Sequence, residues 1–532
     1  MNALEPLDRR LAWSLGIGTF LLLLFGADSV GFTRDEGYYF KAARDYGRWF
    51  DLIFSQPSLA FSQAGIDANW SYNPEHPVLM KSLFALSDIL FHRSLGWVSG
   101  PTAMRLPGMG MAGLAVALTY VLGRQLFCRP VGLLAALMLL FAPRFYYHGH
   151  LACFDSAVTA LWVAVVLAYV NRGDSVWGHV RLGLVFGLAI ATKHNALFLP
   201  IVFGLHWLFC QRDRLSLAKA RLRLPPIPWW VLAMGVLGPL VFLLHWPYLW
   251  PAPLERVSWY LSFHLHHEHY PVRYFGDGLW EPPFPRAFPF TMWAITLPLV
   301  TLVAATAGVL AQARESLSAL WHGVWDRQER AFLLLATALF PPLLIAGPKV
   351  PIFGGTKHWM NGLPLLLIIA AAWAWPHIQS LGRNRRPFVL AIAALMVLPG
   401  AVTLLRHHPH GIGSYSELAG GIRGAANLGM ERQFWGGASR QLLDQLNREA
   451  KPKARLFLDR TNLDAFKAYQ EIGYLRADLR FARGPSRADW GISFHQPDSD
   501  WVLSHLRQSG FKPVAAVEVE GVPMASLFKK EP

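Results

Sequence analysis

Residues 31–40 read GFTRDEGYYF, and shortly before them, over residues 11–27, runs LAWSLGIGTFLLLLFGA. A spanning helix needs about 20 mainly apolar residues, so the earlier run, with its neighbours, is long enough to cross a bilayer. Asp35 and Glu36 then stand side by side just where the chain leaves hydrocarbon. A carboxylate pair at a membrane exit frames the reading of everything that follows.

Of 532 residues, 53% are hydrophobic and 16% charged, with 22 Trp, which is too apolar for a large soluble protein and expected of a polytopic membrane protein. About eleven runs meet or approach spanning length. They lie near residues 11–29, 102–123, 131–147, 154–170, 180–193, 195–210, 228–246, 290–310, 331–347, 360–376 and 387–405, several of them short or broken. The first lacks a small-x-small cleavage pattern and is expected to stay as an anchor. With Arg9 and Arg10 in the cytoplasm, alternate threading puts Arg124, Arg129, Arg172, Arg181, Arg212, Arg214, Lys219, Arg221 and Arg223 on the inner side. Arg314, Arg327, Arg330, Arg383, Arg385 and Arg386 fall there too, which is the positive-inside bias. An odd number of spans places the chain after about residue 406 outside.

The net charge of +15 is accounted for by those loops facing anionic lipid headgroups. No basic stripe with interleaved aromatics points to nucleic acid. Cys128 and Cys210 lie at inner ends and Cys153 at an outer end, so none is placed for a disulfide.

The expected organisation is a membrane domain over 1–410, with outer loops at 30–101 and 247–289, followed by a small extracytoplasmic α/β domain over 411–532. In the first loop YYFKAARDYGRWFDLIF suggests an amphipathic helix lying on the membrane surface. A second helix is expected to begin at Pro77 in HPVLMKSLFALSDILF. The second loop, rich in Pro, Trp and His, reads as irregular interfacial backbone. After residue 411 the pattern is helical RQLLDQLNREA, strand-like ARLFLD, helical DAFKAYQEIGYL, strand-like ADWGISF and helical DSDWVLSHLRQSG. PVAAVEVEG and MASLFKK complete it as a hairpin.

A carboxylate near the membrane surface, its pKa raised by partial desolvation, suits a general base. Asp35 and Glu36 point differently on a helix, so one of them faces the reaction. The structural alternative, an acidic first turn behind Thr33, stays open. Other ionisable groups share the outer side. His76 and Lys81 flank the Pro77 helix, whose N-terminus favours an anion. FAPRFYYHGHLACFDS places Arg144, His148, His150 and Asp155 at the ends of two spans, and Lys193 with His194 and Lys357 with His358 precede further apolar runs. Charges so close to hydrocarbon are functional candidates, although snorkelling explains any one of them alone. HLHHEHY, with His264, His266, His267 and His269, is a weak candidate for a divalent metal, and interfacial hydrogen bonding is the simpler reading.

DEGYY, HPVLMKSL, MRLPGMGMAGLAVALTYVLGRQLF, HGHLACFDSAVTALW, GLAIATKHNALFLP and TKHWMNGLPLL together resemble the GT-C membrane glycosyltransferases over roughly residues 10 to 410. The pattern is similar to that of the protein O-mannosyltransferases and of the bacterial aminoarabinose transferases acting on lipid A. The resemblance implies inverting transfer of a sugar from a polyprenyl-phosphate donor to a hydroxyl of a protein, lipid or glycan, at the outer face of the bacterial cytoplasmic membrane. It implies Asp35 as base, Glu36 as a positioning residue and Asp155 as a second acidic position. Lys81, Lys357 and His358 fall where the family binds the donor phosphate, and His76, Arg105, Arg144, Lys193 and His194 join that candidate group. HPVLMK lacks a second Pro that many relatives carry. The carboxy-terminal segment does not resemble the β-trefoil of the eukaryotic mannosyltransferases, so no acceptor carries over. A transporter or flippase of a lipid-linked anion is the competing class; it commonly shows repeated halves, which this sequence lacks. A receptor or scaffold would leave the outer-face charges idle.

Overall fold

The computed structural model describes residues 3–211, 227–322, 325–381, 386–497 and 499–531. Arg212, Arg214, Lys219, Arg221, Arg223, Arg383 and Arg385 of the expected inner loops lie outside the described residues.

The protein is a multi-pass membrane protein built mainly of helices. Among the described residues, five helices are long and apolar enough to cross a membrane: Pro6–Gly26, Gly100–Leu126, Gln328–Ile345, Met360–Leu381 and Pro387–His407. Arg129–Leu140 and Pro143–Gly149 make a sixth if they are one span bent by 71°. Asp155–Val170, Val176–Ile190, His194–Cys210 and Trp229–Leu244 are apolar but shorter. By length and composition alone the described helices give five or six spans, and the four shorter apolar helices overlap further runs of the about eleven that the sequence suggests. Within residues 131–147 the break falls at Pro143, since proline removes a backbone donor and interrupts a helical run.

Packing of the first helix begins from one acid. Asp8 is fully buried and accepts from Tyr120 Oη (2.8 Å), Arg124 Nε (3.0 Å) and Arg129 Nε (2.7 Å), pinning the first helix to the next two. Gly16 and Gly113 let two backbones meet: a Cβ on Gly113 would lie 2.4 Å from the Gly16 carbonyl.

Outside the spans, the helix Arg34–Ser55 buries Phe40, Ala42, Ala43, Tyr46 and Trp49. That face packs on the helices Gln63–Trp70, Leu79–Ser87 and Leu463–Glu471, so it lies against protein and not, as its amphipathic pattern suggests, on lipid. The following helix starts at Leu79 and not at Pro77. The Leu79 N–H donates to the Ala191 carbonyl (3.0 Å), and the first helical bond is Ser82 N–H to Val78. The second outer loop is more regular than expected, with a helix Pro253–Leu265 and a hairpin of β1 (Val272–Tyr274) and β2 (Asp277–Leu279). Phe275 and Gly276, both with positive φ, make its tight turn.

The carboxy-terminal part follows its sequence pattern closely. β3 (Arg455–Leu458), β4 (Arg480–Ala482), β5 (Trp490–Phe494), β6 (Phe511–Val519) and β7 (Val522–Lys530) form a sheet of order β4-β3-β5-β7-β6. β3 runs parallel to β4 and β5, while β7 pairs antiparallel with β5 and β6. The three-residue edge strand β4 and the short helix Gly421–Asn427 are elements the sequence pattern does not announce.

Candidate active site

The site begins with the carboxylate pair, whose two members have different duties. Thr33 caps the helix through a reciprocal box: its side chain accepts from Glu36 N (3.3 Å), and its own N–H donates to Glu36 Oε2 (2.9 Å). Glu36 is fully buried and takes a two-pronged pair from Arg105, Nε to Oε1 at 2.7 Å and Nη2 to Oε2 at 2.8 Å, plus the Ala152 N–H at 3.0 Å. Arg105 also donates to the carbonyls of Ala27 (3.2 Å), Val30 (2.8 Å) and Gly31 (2.9 Å). A guanidinium has five N–H groups and all are engaged here, so Arg105 leaves the candidate phosphate group. It ties the carbonyls of Ala27, Val30 and Gly31 to Glu36.

Asp35 is one residue earlier and so points roughly 100° away around the helix. Its carboxylate is partly exposed and has two looser contacts, Arg34 Nε at 3.4 Å and Lys357 Nζ at 3.6 Å. Asp155, first residue of the helix Asp155–Val170, is buried and more tightly held, by Lys193 Nζ at 2.7 Å and His148 Nδ1 at 3.3 Å. Asn195 Nδ2 donates to the His358 carbonyl at 2.9 Å, tying the Lys193–His194 turn to the Lys357–His358 turn. Two glycines shape the second turn. Gly354 and Gly355 both have positive φ, which favours glycine, and a Cβ on Gly355 would lie 2.8 Å from both Arg144 Nη1 and the Phe434 ring.

Lys357 is thus buried between carboxylates and π-faces, with its ammonium 4.9 Å from the Phe353 centroid and 4.7 Å from that of Trp435. Burial lowers its pKa, and the charges of Asp35 and Asp155 act against that. His358 lies well below its ordinary value, through burial and then the Lys193 and Lys357 cations, and so is a neutral imidazole. Arg144 donates from Nε to the Ser414 carbonyl (3.1 Å) and stacks over Tyr415.

The remaining candidates separate. Lys81 donates to the Asn73 carbonyl (2.6 Å) and its Oδ1 (3.3 Å), closing its own loop, and burial brings it down to about 7. His76, His194 and His264 form an adjoining imidazole cluster, with ring centroids of His194 and His264 4.1 Å apart and of His76 and His264 6.4 Å apart. His264 Nε2 pairs with the Glu75 carbonyl at 2.9 Å. His266 and His267 bond to local carbonyls, and the His269 ring lies against Phe284. The tract therefore does not converge on one point. Among the described residues no group of three His, Cys, Asp or Glu is placed to hold a metal ion. His150 turns away from both carboxylates toward His408.

The sequence reading misses the contribution of ERQFWGG, residues 431–437. Phe434 and Trp435 wall the Lys357 side of the site, and Glu431 is buried near enough to Arg144, Lys357 and Arg34 to feel their charges, yet burial raises it to about 8. An aromatic pair followed by two glycines is the only local signal, and nothing in it points to a distant membrane loop.

Residues 75–246 match the family model described as dolichyl-phosphate-mannose-protein mannosyltransferase. A search of curated proteins found no match. Among solved structures, the apo crystal structure of ArnT from Cupriavidus metallidurans is similar with a TM-score of 0.51 at 15% identity, covering 98% of this chain and 100% of that one. ArnT from the same organism bound to undecaprenyl phosphate gives 0.49 at 15% identity, covering 98% and 99%. The apo oligosaccharyltransferase of Archaeoglobus fulgidus gives 0.48 at 12%, covering 91% and 69%. The likeness to apo ArnT shows the GT-C fold that the sequence motifs lead one to expect.

Proposed function

We propose that the protein is an inverting glycosyltransferase of the bacterial cytoplasmic membrane, moving a sugar from a polyprenyl-phosphate donor to an acceptor hydroxyl on the outer face. The observation that carries this reading is the meeting at 3.6 Å of Asp35, which follows the apolar helix Pro6–Gly26, with Lys357, which precedes Met360–Leu381. A carboxylate and a buried cation there suit a substrate whose reactive bond sits at headgroup depth. Nucleotide sugars are made in the cytoplasm, so a sugar used outside must arrive on a carrier that crosses the membrane. A lipid phosphate is such a carrier.

Asp35 is the better base because its carboxylate is partly exposed and loosely paired, whereas Asp155 is committed to Lys193 and His148. As the acceptor oxygen bonds to the anomeric carbon, its proton passes to Asp35 and the C–O bond to phosphate breaks on the opposite face. Negative charge then grows on the leaving phosphate. Lys357, Lys193 and Arg144 are the cations at hand to stabilise it, with Asp155 and His148 orienting Lys193. The family match over residues 75–246 supports the same class of chemistry.

Mass spectrometry of envelope glycans and glycolipids from a deletion strain against wild type tests the proposal. A sugar-bearing species should vanish and return with the intact gene, but not with Asp35→Asn expressed at the same level. Full restoration by Asp35→Asn overturns it.

A further inference from the structure

The segment 431–437 is pressed onto the membrane domain with unusual closeness. The Arg34 N–H, immediately before Asp35, donates to the Trp435 carbonyl at 2.8 Å. A Cβ on Gly31 would lie 2.0 Å from the Gly437 carbonyl oxygen, so the two backbones touch. The Trp435 ring is 1% exposed, with the Lys357 ammonium 4.7 Å from its centroid and the His148 ring 5.0 Å away at 67°. Lys357 is the partner of Asp35 and His148 a partner of Asp155. One residue from the carboxy-terminal part thus touches a partner of each candidate carboxylate.

Its indole nitrogen is buried and has no hydrogen-bond partner. Trp70, Trp230, Trp246 and Trp359 share that property, but among the described residues only the Trp435 ring is recorded against both Lys357 and His148. A buried N–H without an acceptor is costly to fold, and a substrate oxygen would relieve it.

We propose that Trp435 is a positioning and binding residue of the site: its ring holds the Lys357 ammonium beside Asp35, and its N–H is kept for an oxygen of the lipid-phosphate sugar. This rests on the transfer reaction proposed above. The carboxy-terminal domain is then part of the donor site and not an appended module.

Three substitutions of the full chain separate the two roles: Trp435→Phe keeps a π-face without the N–H, Trp435→Leu removes both, and Trp435→Met is a second aliphatic variant should the leucine one not fold. Two readouts apply, restoration of the missing species in the deletion strain and binding of undecaprenyl phosphate to detergent-purified protein by native mass spectrometry. Restoration should fall about tenfold for Trp435→Phe and about a hundredfold for Trp435→Leu, from loss of a hydrogen bond and then of a desolvated cation–π contact. If Trp435→Phe weakens binding of undecaprenyl phosphate, the oxygen belongs to phosphate; if it spares binding but lowers restoration, the oxygen belongs to the sugar. In a Lys357→Met background, Trp435→Leu should cost binding no more than Trp435→Phe does, a coupling of the ring to the lysine that a purely structural tryptophan would not show. Wild-type restoration by Trp435→Phe overturns the N–H assignment. Equal losses for Phe and Leu in the wild-type chain, or a loss for Leu that still exceeds that for Phe in the Lys357→Met background, overturn the ring assignment. Asp35→Asn in parallel distinguishes the levels: activity there sinks the underlying reaction, whereas an inactive Asp35→Asn beside wild-type-like Trp435 variants sinks this inference alone.

Discussion

Lys357 places its ammonium 3.6 Å from the Asp35 carboxylate, although one residue follows the first membrane helix and the other precedes a much later one. The contact is looser than the 2.7 Å pair of Lys193 with Asp155, and that difference divides the two carboxylates into an available one and a committed one.

Asp35→Asn should reduce transfer at least about a hundredfold, the usual scale for losing a general base, while leaving thermal stability near wild type. Asp155→Asn should lower activity and stability together, because it strands the buried Lys193. Comparing activity with melting temperature for both variants checks the division; equal melting losses would contradict it.

Lys357→Ala should weaken undecaprenyl-phosphate binding by about tenfold or more, on the scale of a lost charge-assisted hydrogen bond. Lys357→Arg should recover part of it. Native mass spectrometry over a range of lipid concentrations measures both, and unchanged binding in Lys357→Ala would remove the lysine from the phosphate site.

Glu36→Gln should destabilise the protein by about 3–5 kcal/mol, because it leaves Arg105 charged, buried and without its counter-ion. Replacing Arg105 by Met in the same chain should cost less than the sum of the two single changes. Thermal melts of the purified variants in detergent give the comparison.

Two groups outside the spans should give stability opposite dependences on pH. Lys81 has its pKa lowered from 10.5 to about 7 by burial, so between those values the unfolded chain binds more protons and stability rises with pH. Glu431 has its pKa raised from 4.5 to about 8, so across that window the folded chain holds more protons and stability falls as pH rises. Lys81→Met should flatten the alkaline rise and Glu431→Gln the fall from acid to neutral. Melting temperatures from pH 5 to pH 10 test each sign separately.

Much of this protein is legible in the sequence because its signals are local. Apolar runs mark helices, Thr33 with Glu36 three residues on marks a cap, and alternating or helical patterns mark nearly every element after residue 440. Helix lengths are less legible, since a proline such as Pro143 leaves composition apolar while it bends the backbone. Local reading also gathers Asp35, Asp155, Lys193 and Lys357 on one side of the membrane, and the fold brings them into contact. What only tertiary structure decides is which charges are already spent. Arg105 and Lys81 look as suited to a phosphate as Lys357 does, until Glu36 and three carbonyls consume the first and Asn73 the second. The Trp435 contact is likewise beyond any motif. Pairing depends on distances between segments far apart in sequence, and residue type fixes what a side chain is able to bond but not what lies within its reach.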